Sequence, residues 1–201
     1  MAKAKKSNLF PIIACAILLL TAILTISMLA TPLFKADITN PITDEVTTKT
    51  QSAYEFLEDM NKADDDGNTV IQGMRDALAK LKEVGAEDDE VKELSNTIML
   101  YDSLTAIIAL TAIAMVAAVL ALVLAVLKKN KLAFIFGLVA AVLLLATFAA
   151  ACAATAGANA LAALVPENKL MTMSVVAPIV ALVFALIGSL AGGGLLVLKR
   201  K

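Results

Sequence analysis

The chain has 201 residues, is 60% hydrophobic and has a mean hydropathy of +0.84, whereas a soluble domain is about 45–50% apolar. Seventeen basic and eighteen acidic residues leave a net charge of −1. With no His there is no imidazole switch, ligand or base. The two Cys, Cys15 and Cys152, lie in apolar runs, read as small buried hydrophobes and supply no disulfide framework.

The first uncharged run covers residues 9–34, behind Lys3, Lys5 and Lys6. It is longer than the roughly 7–15-residue apolar region of a cleaved signal peptide. Small residues do not fill both cleavage positions either, since Met28 stands two places before Ala30. Ile12-Ile13-Ala14-Cys15 loosely matches a lipoprotein box, but the apolar run follows Cys15 instead of preceding it. An uncleaved first span is expected. Further uncharged runs cover residues 104–127, 132–166 and 170–198, and the first and last of these end in Lys128-Lys129-Asn130-Lys131 and Lys199-Arg200-Lys201. Each run can cross a ~30 Å hydrocarbon core at ~1.5 Å per residue.

The expected fold is all-α: a four-span transmembrane helical bundle with a helical domain between spans 1 and 2. Residues 1–34 form the cytoplasmic N-terminus and transmembrane helix 1. Residues 35–102 form an acidic extracytoplasmic domain, a helix hairpin or three-helix arrangement. Residues 103–201 hold transmembrane helices 2–4, with a cytoplasmic Lys-rich loop at 128–131 and a cytoplasmic C-terminus. Charge sets this orientation. Four spans put Lys3, Lys5, Lys6, Lys128, Lys129, Lys131, Lys199, Arg200 and Lys201 on one side, with no Asp or Glu. The other side carries eight basic and eighteen acidic residues, a net −10 against +9. Basic residues flanking spans stay in the cytoplasm, so a multi-pass protein of the cell membrane is expected.

In the outer segment, Asn40-Pro41 breaks the chain and Thr43 or Asp44 can cap a following helix. Val46, Ala53, Tyr54, Leu57 and Met60 share one face of that helix. Asp64-Asp65-Asp66-Gly67 reads as a turn. A second helix carries Ile71, Met74, Leu78 and Leu81 at helical spacing and ends at Gly85. A third begins near Glu87, with Val91, Leu94, Ile98 and Tyr101 on one face. No Pro or Gly separates it from the second span, so one helix of about forty residues is expected, roughly 60 Å long. These narrow seams suit a small antiparallel bundle or pairing with another copy.

Sites for chemistry are scarce. Asp64-Asp65-Asp66-Gly67-Asn68 resembles part of a calcium loop, but placing Gly67 at the sixth position puts Lys62 first and Gly73 twelfth, and neither is a ligand. Glu87-Asp88-Asp89-Glu90 complements a helix N-terminus. No charge lies within any span, which argues against a proton-coupled carrier. Asn159 is the one strong amide at depth and is expected to bond a neighbouring helix. Nothing suggests an enzyme, a cofactor or a metal. Nucleic acid is not an expected partner, because the basic residues flank spans and face lipid headgroups. The absence of an Asn-x-Ser/Thr acceptor mildly favours a prokaryotic source.

Small residues are the distinctive intramembrane feature. Ala150, Ala154 and Gly157 lie in the third run, and Gly188, Gly192 and Gly193 in the fourth. Such spacing lets backbones approach closely, either within one chain or between copies. The order of span, large outer loop and three closely spaced spans is similar to the claudin-type four-span layout. This chain departs from it in having no Trp, no Cys in the outer loop and a loop that reads as helical. A helical domain between two spans also looks like the outer part of bacterial chemoreceptors, but their large cytoplasmic signalling region has no counterpart. No residue or function carries over from either resemblance. The leading expectation is a structural or interaction protein that self-associates laterally in the bilayer and offers its outer helices to a protein partner. A sensory or accessory subunit and a neutral-solute channel or carrier are the alternatives.

Overall fold

Among the described residues, three helices are long and apolar enough to cross a bilayer: α1 (Leu9–Met28), α4 (Asp89–Val126) and α5 (Asn130–Leu164). The computed structural model describes residues 9–39, 46–65, 67–85, 89–164 and 171–173, together with Val183 and Gly192. The expected fourth span lies outside the described residues, save Val183 and Gly192, both helical. Between α1 and α4 come strands β1 (Pro32–Thr39) and β2 (Val46–Ser52) and helices α2 (Ala53–Met60) and α3 (Val70–Glu83). Strand β3 (Met171–Met173) follows α5.

Helices dominate, as expected, and α4 is one unbroken element of 38 residues. Its sequence holds neither Gly nor Pro from Asp89 to Val126, so nothing interrupts the hydrogen-bond ladder. It stops where Lys128 takes a φ of 61°. The N–H of Lys129 then reaches back to the Leu124 carbonyl at 2.9 Å, and that of Lys128 to the Ala125 carbonyl at 3.1 Å. This left-handed helix ending usually carries Gly.

A small sheet departs from the helical reading of the outer segment. Its order is β2-β1-β3, antiparallel throughout, with Lys35 opposite both Thr50 and Thr172. The first helix therefore ends at Met28 instead of continuing to Phe34, and Pro32 opens a strand, a position where its missing N–H is tolerated. Val46 belongs to β2 and not to a helix face. Val46, Thr47, Thr48 and Thr50 are β-branched, and such side chains fit a pleated ladder better than a helix. Thr43 and Asp44, expected as caps, lie outside the described residues. The cap is Ser52, which starts α2 nine residues later than Thr43, or eight later than Asp44, would allow. Met171–Met173, assigned above to the start of the fourth span, pairs with β1.

The chain divides into two compact units. The first takes Met1–Ile26, Ile107–Ala149 and Ala181–Lys201; the second takes Ser27–Ala106 and Ala150–Val180. In the first, Ala14, Cys15, Leu18 and Ala22 of α1 are buried in one cluster with Ala114, Ala117, Ala118 and Ala121 of α4 and Ala140, Ala141 and Leu144 of α5. In the second, α2 packs on β2 and on α3. The Ala53 N–H donates to the Leu29 carbonyl at 3.2 Å, which ties α2 to the end of α1.

Candidate functional site

The helices of the first unit sort their residues by size. Ala lines their buried faces, while Ile113, Val116, Val119, Leu120 and Val123 of α4 and Ile135, Leu138, Val139, Val142 and Leu145 of α5 are exposed. In water such a surface would drive aggregation; in a bilayer it meets acyl chains as apolar as itself. The only polar side chains buried in this unit are hydroxyls, among the described residues. Thr21 and Thr25 donate to carbonyls one turn back, Ile17 and Thr21, both at 2.9 Å. Thr147 donates to the Leu143 carbonyl at 3.0 Å and stands 3.5 Å from the Thr111 hydroxyl across the α4–α5 contact. Local bonding of this kind removes the cost of a hydroxyl away from water.

Small residues make two close backbone contacts within the chain. At Gly192 an added Cβ would stand 2.5 Å from Leu18 Cγ and 3.1 Å from the Ala14 carbonyl oxygen. At Gly157 it would stand 3.1 Å from Met99 Cε and 3.3 Å from the Asn96 carbonyl oxygen. Ala154 is buried and Ala150 half-buried. Gly188 and Gly193 lie outside the described residues. Asn159, expected to bond a neighbouring helix, is exposed. Cys15 is buried and Cys152 exposed.

The seam residues of the outer helices face inward to different degrees. Leu57 and Ile71 are buried, and Met60, Met74, Leu78, Leu81, Val91, Leu94 and Ile98 are half-buried. A polar cluster supplements them, and no spacing rule points to it. The Tyr101 hydroxyl donates to Asn61 Oδ1 at 2.8 Å, and Asn61 Nδ2 donates to the Leu57 carbonyl at 2.7 Å. Arg75 pairs with Asp102 and sits 5.9 Å from the centroid of the Tyr101 ring. Together these groups join the end of α2, α3 and the N-terminal part of α4. Asn61, Arg75 and Asp102 are far apart in sequence, so only Tyr101, already placed on the α4 face, gave a sign of the cluster.

Capping orders the helix starts. The Ser52 hydroxyl accepts from the Glu55 N–H at 3.3 Å, while Glu55 Oε2 accepts from the Ser52 N–H at 2.7 Å. The Ser52 N–H, and the Ser52 hydroxyl donating to the same Oε2 at 3.0 Å, hold the Glu55 carboxyl below the usual glutamate range. Thr69 and Gln72 repeat the arrangement at α3. Lys92, 2.8 Å from Asp89, lowers the Asp89 carboxyl. The acidic turn closes on itself: Asp64 Oδ1 accepts from the Asn68 N–H at 2.8 Å, and Gly67 takes a φ of 82°. The carboxylates at these positions therefore serve local backbone and lysine partners. Comparison with known protein families, curated proteins and solved structures found no match.

Proposed function

We propose that this is an integral membrane protein of the structural or interaction kind, which self-associates laterally and presents its acidic segment outside the cell membrane. The observation that carries this reading is the division of α4 and α5 into an inner face rich in alanine and an exposed aliphatic outer face, with no Asp, Glu, Lys or Arg in residues 103–127 and 132–164. A bundle packed this way offers contact surface and no reacting group. Pairing of β1 with β3 adds support for the topology. β1 follows α1 and β3 follows α5, so the ends of those two helices share one side, as four spans with cytoplasmic termini require. Lipid, a second copy and a protein at the outer helices are the partners.

Chemical cross-linking of the detergent-solubilised chain, with mass measurement, tests self-association. Cross-linked dimers or larger species are expected, and a strict monomer at every concentration would sink the reading. Protease added to intact cells tests the orientation: cleavage is expected at Lys80 and not at Lys128. A sensory or accessory role is the second reading, favoured by one observation. α4 is one unbroken helix whose residues up to Ala106 belong to the second unit and from Ile107 to the first. Stabilisation of the chain by a ligand from a broad panel would favour that reading over the first.

A further inference from the structure

Gly73 is the fourth of the fourteen residues of α3, Gly is a poor helix former, and nothing within 4 Å occupies the space a side chain would take. Unlike Gly157 and Gly192, it is not required by any neighbour within the chain. At 3.6 residues per turn, Val70, Gly73, Ala77, Lys80 and Val84 fall within about 80° of one another on α3. This face lies beside the one that buries Ile71. Val84 is 78% exposed and Val70 42%. Val70, Ala77 and Val84 are spaced seven apart, as in a coiled-coil seam.

The stripe is self-complementary when it is run against itself in the opposite direction. Centred on Ala77, an antiparallel copy sets Val70 against Val84, Ala77 against Ala77, and Gly73 against the stem of Lys80. A two-fold axis of this kind brings matching flanks together. Asp76 of each copy then approaches Lys80 of the other, and among the described residues neither makes an ion pair within its own chain. Parallel pairing would instead set the Asp76, Lys80 and Glu83 flank against the apolar side of the partner. Charge therefore selects both the occupant and its direction. We propose that α3 is an interface with a second copy of this chain, packed antiparallel about Ala77, with Gly73 providing the room and reciprocal Asp76–Lys80 pairs fixing the register. The inference rests on the self-association reading and locates one contact on which that association would depend.

Cysteine cross-linking of the full chain in detergent provides the test, in a Cys152→Ser background that leaves only buried Cys15. Under mild oxidation Ala77→Cys is expected to give about tenfold more disulfide dimer than Gln72→Cys on the opposite face, because a disulfide needs Cα atoms within about 7 Å. Adding Gly73→Leu, which has open space within its own copy, is expected to remove that dimer. Asp76→Lys is expected to weaken it, and Asp76→Lys with Lys80→Asp to restore it. A chain that is dimeric by mass but does not cross-link at Ala77→Cys overturns the α3 interface and leaves self-association standing. A monomer by mass overturns both. Cross-linking that ignores Gly73→Leu, or an Asp76→Lys defect without rescue by the swap, overturns the register.

Discussion

The two units of this molecule are held together by opposite means. The first is a set of helices whose buried cluster is mostly alanine, with Cys15 and the fully enclosed Leu18 and Leu144, and with larger side chains such as Met115, Phe134 and Phe136 packed against it. It contains no ion pair, among the described residues, and its few hydroxyls bond to their own helices or to one another. The second is a patchwork of a three-stranded sheet, short capped helices, a tyrosine–asparagine bond and exposed ion pairs. The difference is the one that the proposed topology, with the first unit in lipid and the sheet and capped helices in water, would impose. In lipid no hydrophobic force drives helices together, so close van der Waals packing does the holding. In water a small segment without disulfides buries too little surface to hold itself, and directional bonds at helix ends and between elements decide its structure.

The sharpest way to break this contrast is to add one methyl group in each unit. Gly192→Ala is expected to be the most damaging single change. Its Cβ would stand 2.5 Å from Leu18 Cγ and 3.1 Å from a backbone oxygen, and overpacking of this kind costs about 1–3 kcal/mol. Leu18→Ala, which removes the clashing atoms, is expected to restore part of the loss in the double variant. Thermal unfolding in detergent by far-UV circular dichroism measures both. Equal stability of Gly192→Ala and the parent chain would show that the contact at Gly192 is not tight. Gly73→Ala, made in open space on α3, is expected to do the reverse and stabilise by up to about 1 kcal/mol.

A change in the second unit should act locally. Ser52→Ala removes the hydroxyl that caps α2, at a cost of about 1 kcal/mol. Hydrogen exchange read by mass spectrometry is expected to rise in Ala53–Met60 and stay unchanged over the buried stretch of α1. Exchange that rises equally in both would mean that the two units do not differ in the way described. Tyr101→Phe deletes the bond to Asn61. Because that bond is exposed, the loss is expected at the low end of the usual 0.5–1.5 kcal/mol, about half a kcal/mol.

The same division governs what could be read from the residues alone. Long uncharged runs announce themselves, because no other environment accepts them, and α1, α4 and α5 were all legible. The continuity of α4 followed from the lack of any breaker between Asp89 and Val126. The inward face of α3 was legible from Ile71, Met74, Leu78 and Leu81. The sheet was not. Val46 and Ala53 are seven apart and fit a helix face as well as they fit a strand followed by a helix. The β-branched residues Val46, Thr47, Thr48 and Thr50 were the stronger signal; their ladder partner is β1, whose other edge pairs with the distant β3. The small-residue positions were legible as close contacts, but only coordinates show that Gly157 and Gly192 meet elements of their own chain. The Asn61–Tyr101 and Arg75–Asp102 pairings depend on the bundle being assembled first, and short-range spacing carries no trace of them.

The smallest expected effect is on acid stability, and it isolates one bond of the second unit. Bonding to Ser52 lowers the Glu55 carboxyl in the folded chain, whereas in the unfolded chain it titrates in the usual glutamate range. Between those two values the unfolded state holds more protons, so stability rises with pH across that window. The contribution is complete above the usual glutamate range and disappears as pH falls through the lowered folded value. Asp89, lowered by Lys92, acts with the same sign at the start of α4. Glu55 is fully exposed, so solvent screening keeps the effect modest. Glu55→Gln retains an oxygen that can accept from the Ser52 N–H but has no proton to gain. Its melting temperature between neutral pH and about pH 3, in the range where carboxylates titrate, is expected to fall less steeply than that of the parent chain. The first unit has no carboxylate over residues 9–26 or 107–149, so its protection from exchange, corrected for the intrinsic pH dependence of amide exchange, is expected to be flat over the same range. Parallel acid slopes for parent and Glu55→Gln would remove the capping bond from the account of what orders α2.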